Sequence, residues 1–218
     1  MSESIEIPDF SGDDFANDKQ IKKMRADADA FNSMMIESIR IIKESFAIKN
    51  VSHKNLKGFG MFKALQPTIK ETLGSSEIYP NLTIILATYL SAYPIPRNSN
   101  SGVDYYLFGH IQLTKTFPDT YICKETIREK IANLVLKTDL DFKHARKFSS
   151  RFHVITEDKN QLSDRLQTKD LDCLSEYPDL EIEIYKQACL FRSSKKSVSP
   201  PEADSFCNLT KSMIKIFD

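Results

Sequence analysis

Leu134-Val-Leu-Lys-Thr-Asp-Leu-Asp-Phe142 opens the stretch that decides the fold, and Glu181-Ile-Glu-Ile-Tyr185 with Cys189-Leu-Phe-Arg192 closes it. In the first segment Leu134, Leu136, Thr138, Leu140 and Phe142 alternate with Val135, Lys137, Asp139 and Asp141, the strongest period-two pattern in the chain. Successive strand side chains point to opposite faces, so this pattern predicts a strand with one face in the core and the other mostly in solvent. Phe152, Val154 and Thr156 predict a further strand, after a connection over residues 143–151 whose basic side chains stay outside the core. Asp158 is placed to cap a helix through Leu162 and Leu166, and Thr168 to cap another carrying Leu171 and Leu174. The closing segment predicts a hairpin that turns at Lys186-Gln187-Ala188. Ser199-Pro200-Pro201-Glu202 combines a cap, prolines in the first turn and a reaching glutamate, ahead of a helix that buries Ala203, Phe206, Thr210, Met213 and Phe217.

Upstream of this stretch, residues 1–13 are polar and read as a loose arm. Residues 14–48 contain no Gly or Pro, and Ile21, Met24, Ala28, Phe31, Met35, Ile39, Ile42 and Phe46 recur at helical spacing. A helix of about 34 residues is about 50 Å long, more than one small domain can cover. Either part of it protrudes or pairs with a second copy, or it breaks near Asn32-Ser33 and folds over the sheet. Residues 50–60 form a linker ending in Gly58-Phe59-Gly60, which lacks the further glycines of a phosphate cradle. Residues 61–73 predict a second helix, interrupted at Pro67 and stopped by Gly74. Residues 82–93 and 105–117 then read as two strands of an antiparallel hairpin around a long loop, although Ile84, Ile85, Tyr89 and Ala92 would also fit a buried helix. A short strand over 120–123 and a helix over 125–133 lead into the deciding stretch. The predicted architecture is α+β: a long N-terminal helix, then a mainly antiparallel sheet with helices packed on one face. Residues 1–50 form the arm and helix, and residues 51–218 the α+β domain.

Composition narrows the function. The chain has 218 residues, 41% hydrophobic and 28% charged, enough for a proper core without staples. Thirty basic residues balance 30 acidic ones, which argues against a polyanion as the main partner. Cys123, Cys173, Cys189 and Cys207 are spaced too widely for a metal or redox pair and read as reduced, mostly buried thiols. The most apolar run, residues 82–93, falls short of the ~20 residues that span a bilayer. No export signal opens the chain, so the expected setting is cytoplasmic, without membrane insertion.

The pattern Phe148-x-x-x-Phe152-x-Val154-x-x-x-Asp158, followed by Leu166-x-Thr168-x-x-Leu171-x-x-Leu174, the Ile182 to Phe191 hairpin and the closing helix, resembles an uncharacterised bacterial family of domains of unknown function. Many members of that family are tethered behind transmembrane helices. The resemblance covers roughly the C-terminal half and implies a fold more than an activity. No membrane anchor is expected in this sequence, and Lys169 stands where a proline is usual in that family.

Chemistry is sparse. None of the four histidines stands at the short helical spacing of a metal pair, and neither a nucleophile elbow nor a cysteine near a histidine occurs. No metal or cofactor is expected. His144 and His153 flank the aromatic crossover and could meet Asp139, Asp141 or Asp158, with Arg146 nearby, as a small-ligand or hydrolytic site. The basic cluster Lys143, His144, Arg146, Lys147 and Arg151, interleaved with Phe148 and Phe152, is the best case for nucleic acid, against a solvated loop over two core phenylalanines. The leading expectation is a non-enzymatic interaction or accessory protein, contacting a protein partner or a second copy through the helix of residues 14–48.

Overall fold

The computed structural model describes residues 18–52, 56–74, 76–90, 103–124, 140–193 and 198–217. The long helix, α1 (Asp18–Phe46), runs unbroken through Asn32-Ser33 for 29 residues. Ala47 ends it in the left-handed region (φ 51°), where the Ile48 N–H returns to the Lys43 carbonyl at 3.2 Å.

Eight strands follow in one sheet: β1 (Lys49–Asn50), β2 (Thr68–Gly74), β3 (Leu82–Leu90), β4 (Val103–Gln112), β5 (Thr120–Lys124), β6 (Phe152–Thr156), β7 (Leu180–Tyr185) and β8 (Ala188–Ser193). Their spatial order is β1-β2-β3-β4-β8-β7-β5-β6, and every neighbouring pair is antiparallel. A meander of the first four strands therefore meets a second unit of four at the β4–β8 seam, where Phe108 to Gln112 pair with Arg192 to Ala188. The α+β architecture follows the sequence pattern.

Four helices complete the described chain: α2 (Gly60–Leu65), α3 (Arg146–Ser149), α4 (Lys159–Leu166) and α5 (Pro200–Phe217), with a 3-10 turn over Leu171–Glu176. One face of the sheet carries the main core. Ile84, Leu86, Leu107, Ile111, Ile122, Val154, Ile182, Ile184 and Phe191 pack there against Met35, Ile42 and Phe46 of α1 and Phe206, Leu209, Met213 and Phe217 of α5. The alternate residues Ile85, Ala87, Tyr106, Phe108 and Leu190 point to the other face, where Leu56, Phe59 and Met61 cover them. α2 thus stands apart from the helices packed on the main face.

Several elements differ from the sequence expectation. The predicted helix over 61–73 ends at Leu65, because Pro67 cannot continue it and Gln66 caps it in the left-handed region (φ 46°). The β-branched Thr68, Ile69 and Thr72 then form β2. Thr168 caps nothing: Asp170 precedes the 3-10 turn, with no side-chain cap. The hairpin turn is the two residues Lys186-Gln187, with Ala188 already in β8 opposite Tyr185. The predicted helix over 125–133 and the first part of the strand over 134–142 lie outside the described residues. Within that strand Leu140 to Phe142 are irregular chain, Phe142 buried and Asp141 exposed.

Other signals hold in detail. Asp158 accepts the Gln161 N–H at 3.0 Å to start α4. Glu202 accepts the N–H and hydroxyl of Ser199, both at 2.9 Å, to start α5. Ala203, Phe206, Thr210, Met213 and Phe217 are all buried.

At the seam Phe191 sits opposite Gly109 and stacks on Phe206 of α5 (centroids 5.8 Å, interplanar 22°). A Cβ on Gly109 would come within 2.1 Å of the Phe191 ring. Gly109 is thus required by close approach rather than by its φ. Gly109→Ala is expected to cost about 2–3 kcal/mol, read as a lower urea midpoint at unchanged slope. In a Phe191→Leu background, where the ring is gone, the same substitution costs much less. An equal cost in both backgrounds would separate the effect from the ring.

Candidate functional site

The residues singled out by sequence are distributed over two sides of the sheet. Asp141 and His144 are exposed in the turn before α3, and Arg146 is exposed at its start. His144 rests edge-on against Phe142 (5.8 Å, 78°), and Phe142, Phe148 and Phe152 form a chain of ring contacts into the main core. Strand alternation separates His153 from this cluster. Phe152 and Val154 point into the main core, so His153 between them faces the other side, opposite Cys123 of β5. Asp158 is committed to capping α4. Asp139 lies outside the described residues, as does His53.

The basic residues Lys143, Arg146, Lys147 and Arg151 are exposed, as the sequence suggested, and the two phenylalanines beneath them are core. Arg151 is anchored to the Ser175 carbonyl. Asp172 holds the turn below by accepting the Phe148 N–H at 2.9 Å. Among the described residues no group of three or more His, Cys, Asp or Glu could hold a metal, and no helix is long and apolar enough to cross a membrane. A cleft of about 30 Å³ between β4 and the first turns of α5 is lined by Leu107, Tyr177, Ser193, Glu202 and Phe206, room for a single water.

The polar cluster that the fold does assemble was not among the sequence candidates. On the α2 side of the seam Arg192 of β8 lies directly opposite Glu181 of β7, and the two form a buried two-pronged ion pair with contacts of 2.9 to 3.1 Å. Tyr121 donates its hydroxyl to the same carboxylate at 3.3 Å, and the Arg192 guanidinium lies over the Tyr106 ring at 5.2 Å. Burial, and then the Glu181 charge, push the Tyr121 phenol well above its ordinary range. This is a satisfied network: the carboxylate, the guanidinium and the phenol each have a partner. The pairing was readable only through the turn. A two-residue turn sets Glu181 against Arg192, whereas the expected three-residue turn sets Glu181 against Ser193, on the other face from Arg192.

One position further along β7, Glu183 accepts the N–H groups of Gly60 and Met61 at 2.6 and 2.7 Å. It thereby clamps the first turn of α2 onto the sheet. Gly58, under the Tyr185 ring, allows the approach. Burial raises the Glu183 pKa, and the two N–H donors oppose it without cancelling it.

No protein-family model, curated protein or solved structure matches the chain.

Two outcomes are expected. Glu181→Leu strands a buried guanidinium and costs about 3–5 kcal/mol, while Glu181→Leu with Arg192→Met recovers most of it. Equilibrium denaturation of the two variants checks this, and equal losses would exclude a charge effect. For Glu183 the folded pKa exceeds its ordinary 4.5. Its contribution to stability is therefore complete below 4.5 and is lost as pH rises through the folded value. Glu183→Gln removes that slope, so the variant gains on the natural chain as pH rises from 4.5. Parallel stability profiles from pH 4 to 8 would contradict it.

Proposed function

We propose that this is a non-enzymatic interaction protein whose contact element is the N-terminal part of α1. The observation that carries the reading is the exposure profile of that helix. Met35, Ser38, Ile42 and Phe46 are buried, and Phe31 packs on Tyr105 at 5.1 Å. Before Phe31, Lys22, Lys23, Arg25, Ala26, Asp27, Ala28, Asp29 and Ala30 are all exposed. The helix nonetheless continues back to Asp18. At 1.5 Å per residue, residues 18–30 extend about 20 Å beyond the packed part. A free helical rod attached to a rigid body is a surface for another chain.

The reading also draws on what the polar groups do elsewhere. Asp158, Glu202, Asp172 and Glu183 cap helices or turns, and Glu181 holds Arg192. Side chains so engaged support a structural assignment more than a catalytic one.

Ala28→Pro in the full chain tests it. Proline removes a helix hydrogen bond and blocks the turn before it, at about 3 kcal/mol of local helix stability, without touching the residues from Phe31 onward. The thermal midpoint of the body is expected to stay put while association through α1, with this chain or another, is lost. Binding that survives with the projecting turns unwound would assign the contact elsewhere.

A further inference from the structure

The second face of the sheet is covered by a short stretch of chain with its own internal bonds. Over residues 56–66 the Phe59 N–H goes to the Leu56 carbonyl, the Lys63 N–H to that of Phe59 and the Gln66 N–H to that of Phe62, each at 3.0 Å. The stretch contains α2 and no strand, so no ladder joins it to the sheet. Leu56, Phe59 and Met61 are buried against Ile85, Ala87, Phe108 and Leu190. Phe59 stands edge-on to His110 (5.9 Å) and to Tyr185 (6.2 Å), and Phe62 to Phe108 (5.6 Å). The strands beneath keep their own supports. β3, β4 and β8 are each paired on both sides, and their opposite face packs in the main core. A layer bonded within itself and outside the ladder is the kind of unit that opens without global unfolding.

Two opposed features set how often it opens. One is a latch. Glu183, in the same cross-sheet row as Leu190 and His110, accepts the Gly60 N–H with one carboxylate oxygen and the Met61 N–H with the other. The second feature is strain. Gln66 ends α2 at φ 46°, ψ 49°. A residue with a Cβ is disfavoured in this left-handed region, and one that precedes proline, as Gln66 precedes Pro67, is pushed toward extended φ and ψ. Glycine is the ordinary choice at such a position after a helix. The connection imposes the conformation: Thr68, two residues on, is already in β2, so the chain must leave α2 and enter the strand at once. Once residues 56–65 lift, that requirement ends and Gln66 relaxes toward extended backbone.

We infer that residues 56–66 form a strap that lifts and closes as one unit over the second face of the sheet, latched by Glu183 and loaded by the left-handed backbone of Gln66. Lifting bares Ile85, Phe108 and Leu190, an apolar strip beside His110, on a body whose ladder stays whole. The strap thus switches the sheet between a covered and an uncovered apolar face, on the side opposite α1.

Native-state hydrogen exchange of the full chain, followed by NMR through a series of low urea concentrations, tests this. The amides of Gly60, Met61, Lys63 and Gln66 are expected to exchange through one shared opening. That opening is about tenfold or more favoured over the one that frees the Phe108 and Leu190 amides, and depends less steeply on urea. Glu183→Ala is expected to raise the strap's opening constant about tenfold, read at Lys63 and Gln66, whose bonds do not involve the carboxylate. Gln66→Gly acts the other way and lowers the constant about threefold. It keeps the test decisive should Glu183→Ala not fold. Strap amides that exchange only together with those of Phe108 and Leu190, or each through an opening of its own, overturn the strap. A constant that does not rise in Glu183→Ala removes the latch, one that does not fall in Gln66→Gly removes the strain, and either result overturns the inference.

Discussion

Phe191 lying on Gly109 is the contact on which the architecture turns. Among the described residues the sheet is built from two four-stranded units, and β4 with β8 joins them in the strand order. On the main face the ring fills the space that a side chain at position 109 would need, and its outer surface stacks on Phe206. One aromatic side chain thereby ties the meander, the C-terminal hairpin and α5 together. α5 in turn carries Phe217 to Phe117, and lies beside α1. A shift of one residue in the β4–β8 register would place a side chain where the glycine is, so the stack fixes register as well as proximity.

The opposite face of the same junction is held differently. There the apolar residues Ile85, Phe108 and Leu190 give way to Glu181, Arg192 and Tyr121, covered in part by the Tyr106 ring. A buried ion pair is weak evidence for net stability, since desolvation consumes most of its Coulombic gain. Its effect is larger on alternatives than on the native state. Any hairpin register other than the observed one leaves a carboxylate and a guanidinium buried apart. The left-handed Lys186 (φ 56°), whose N–H is fixed by Asp119 at 2.9 Å, enforces the two-residue turn that this pairing requires. Hydrophobic stacking on one side and charge pairing on the other thus specify one register by independent means.

These two devices also mark where the sequence could be read and where it could not. Strands with one covered face announce themselves by alternation, as Phe152, Val154 and Thr156 do, and helix starts by short-range chemistry at Asp158 and at Ser199 with Glu202. Both signals are complete within a few residues. Pattern and structure part where a helix and a strand share one local pattern. Met61, Leu65, Ile69 and Leu73 suit a helix face, and only the proline between them shows that the chain changes state. Nearness in sequence does not bring the candidate site residues together, because strand alternation defeats it: His153 lies next to Phe152 in the chain but on the other side of the sheet from the ring cluster under His144. Glu181 and Arg192 sit at ordinary strand positions, and their pairing depends on turn length, the feature least determined by composition.

The helix α1 obeys a different economy from the rest of the chain. Its second half is fixed by burial, so the unfavourable step of nucleating a helix is already met when the chain reaches Phe31. Each further residue toward the N-terminus adds one hydrogen bond against one residue's backbone entropy, a near balance in water. Ala26, Ala28, Ala30, Lys22, Lys23 and Arg25 favour helix; Asp27 and Asp29 do not. Acidic residues are best placed in a first turn, where they face the positive end of the helix dipole. Here Asp27 and Asp29 stand inside the helix, each four residues after a basic residue, Lys23 and Arg25, a spacing at which opposite charges on one helix stabilise it. Alanine propensity and same-helix charge pairs together hold the projecting turns near balance, so the packed half from Phe31 onward decides whether the rest of the helix forms.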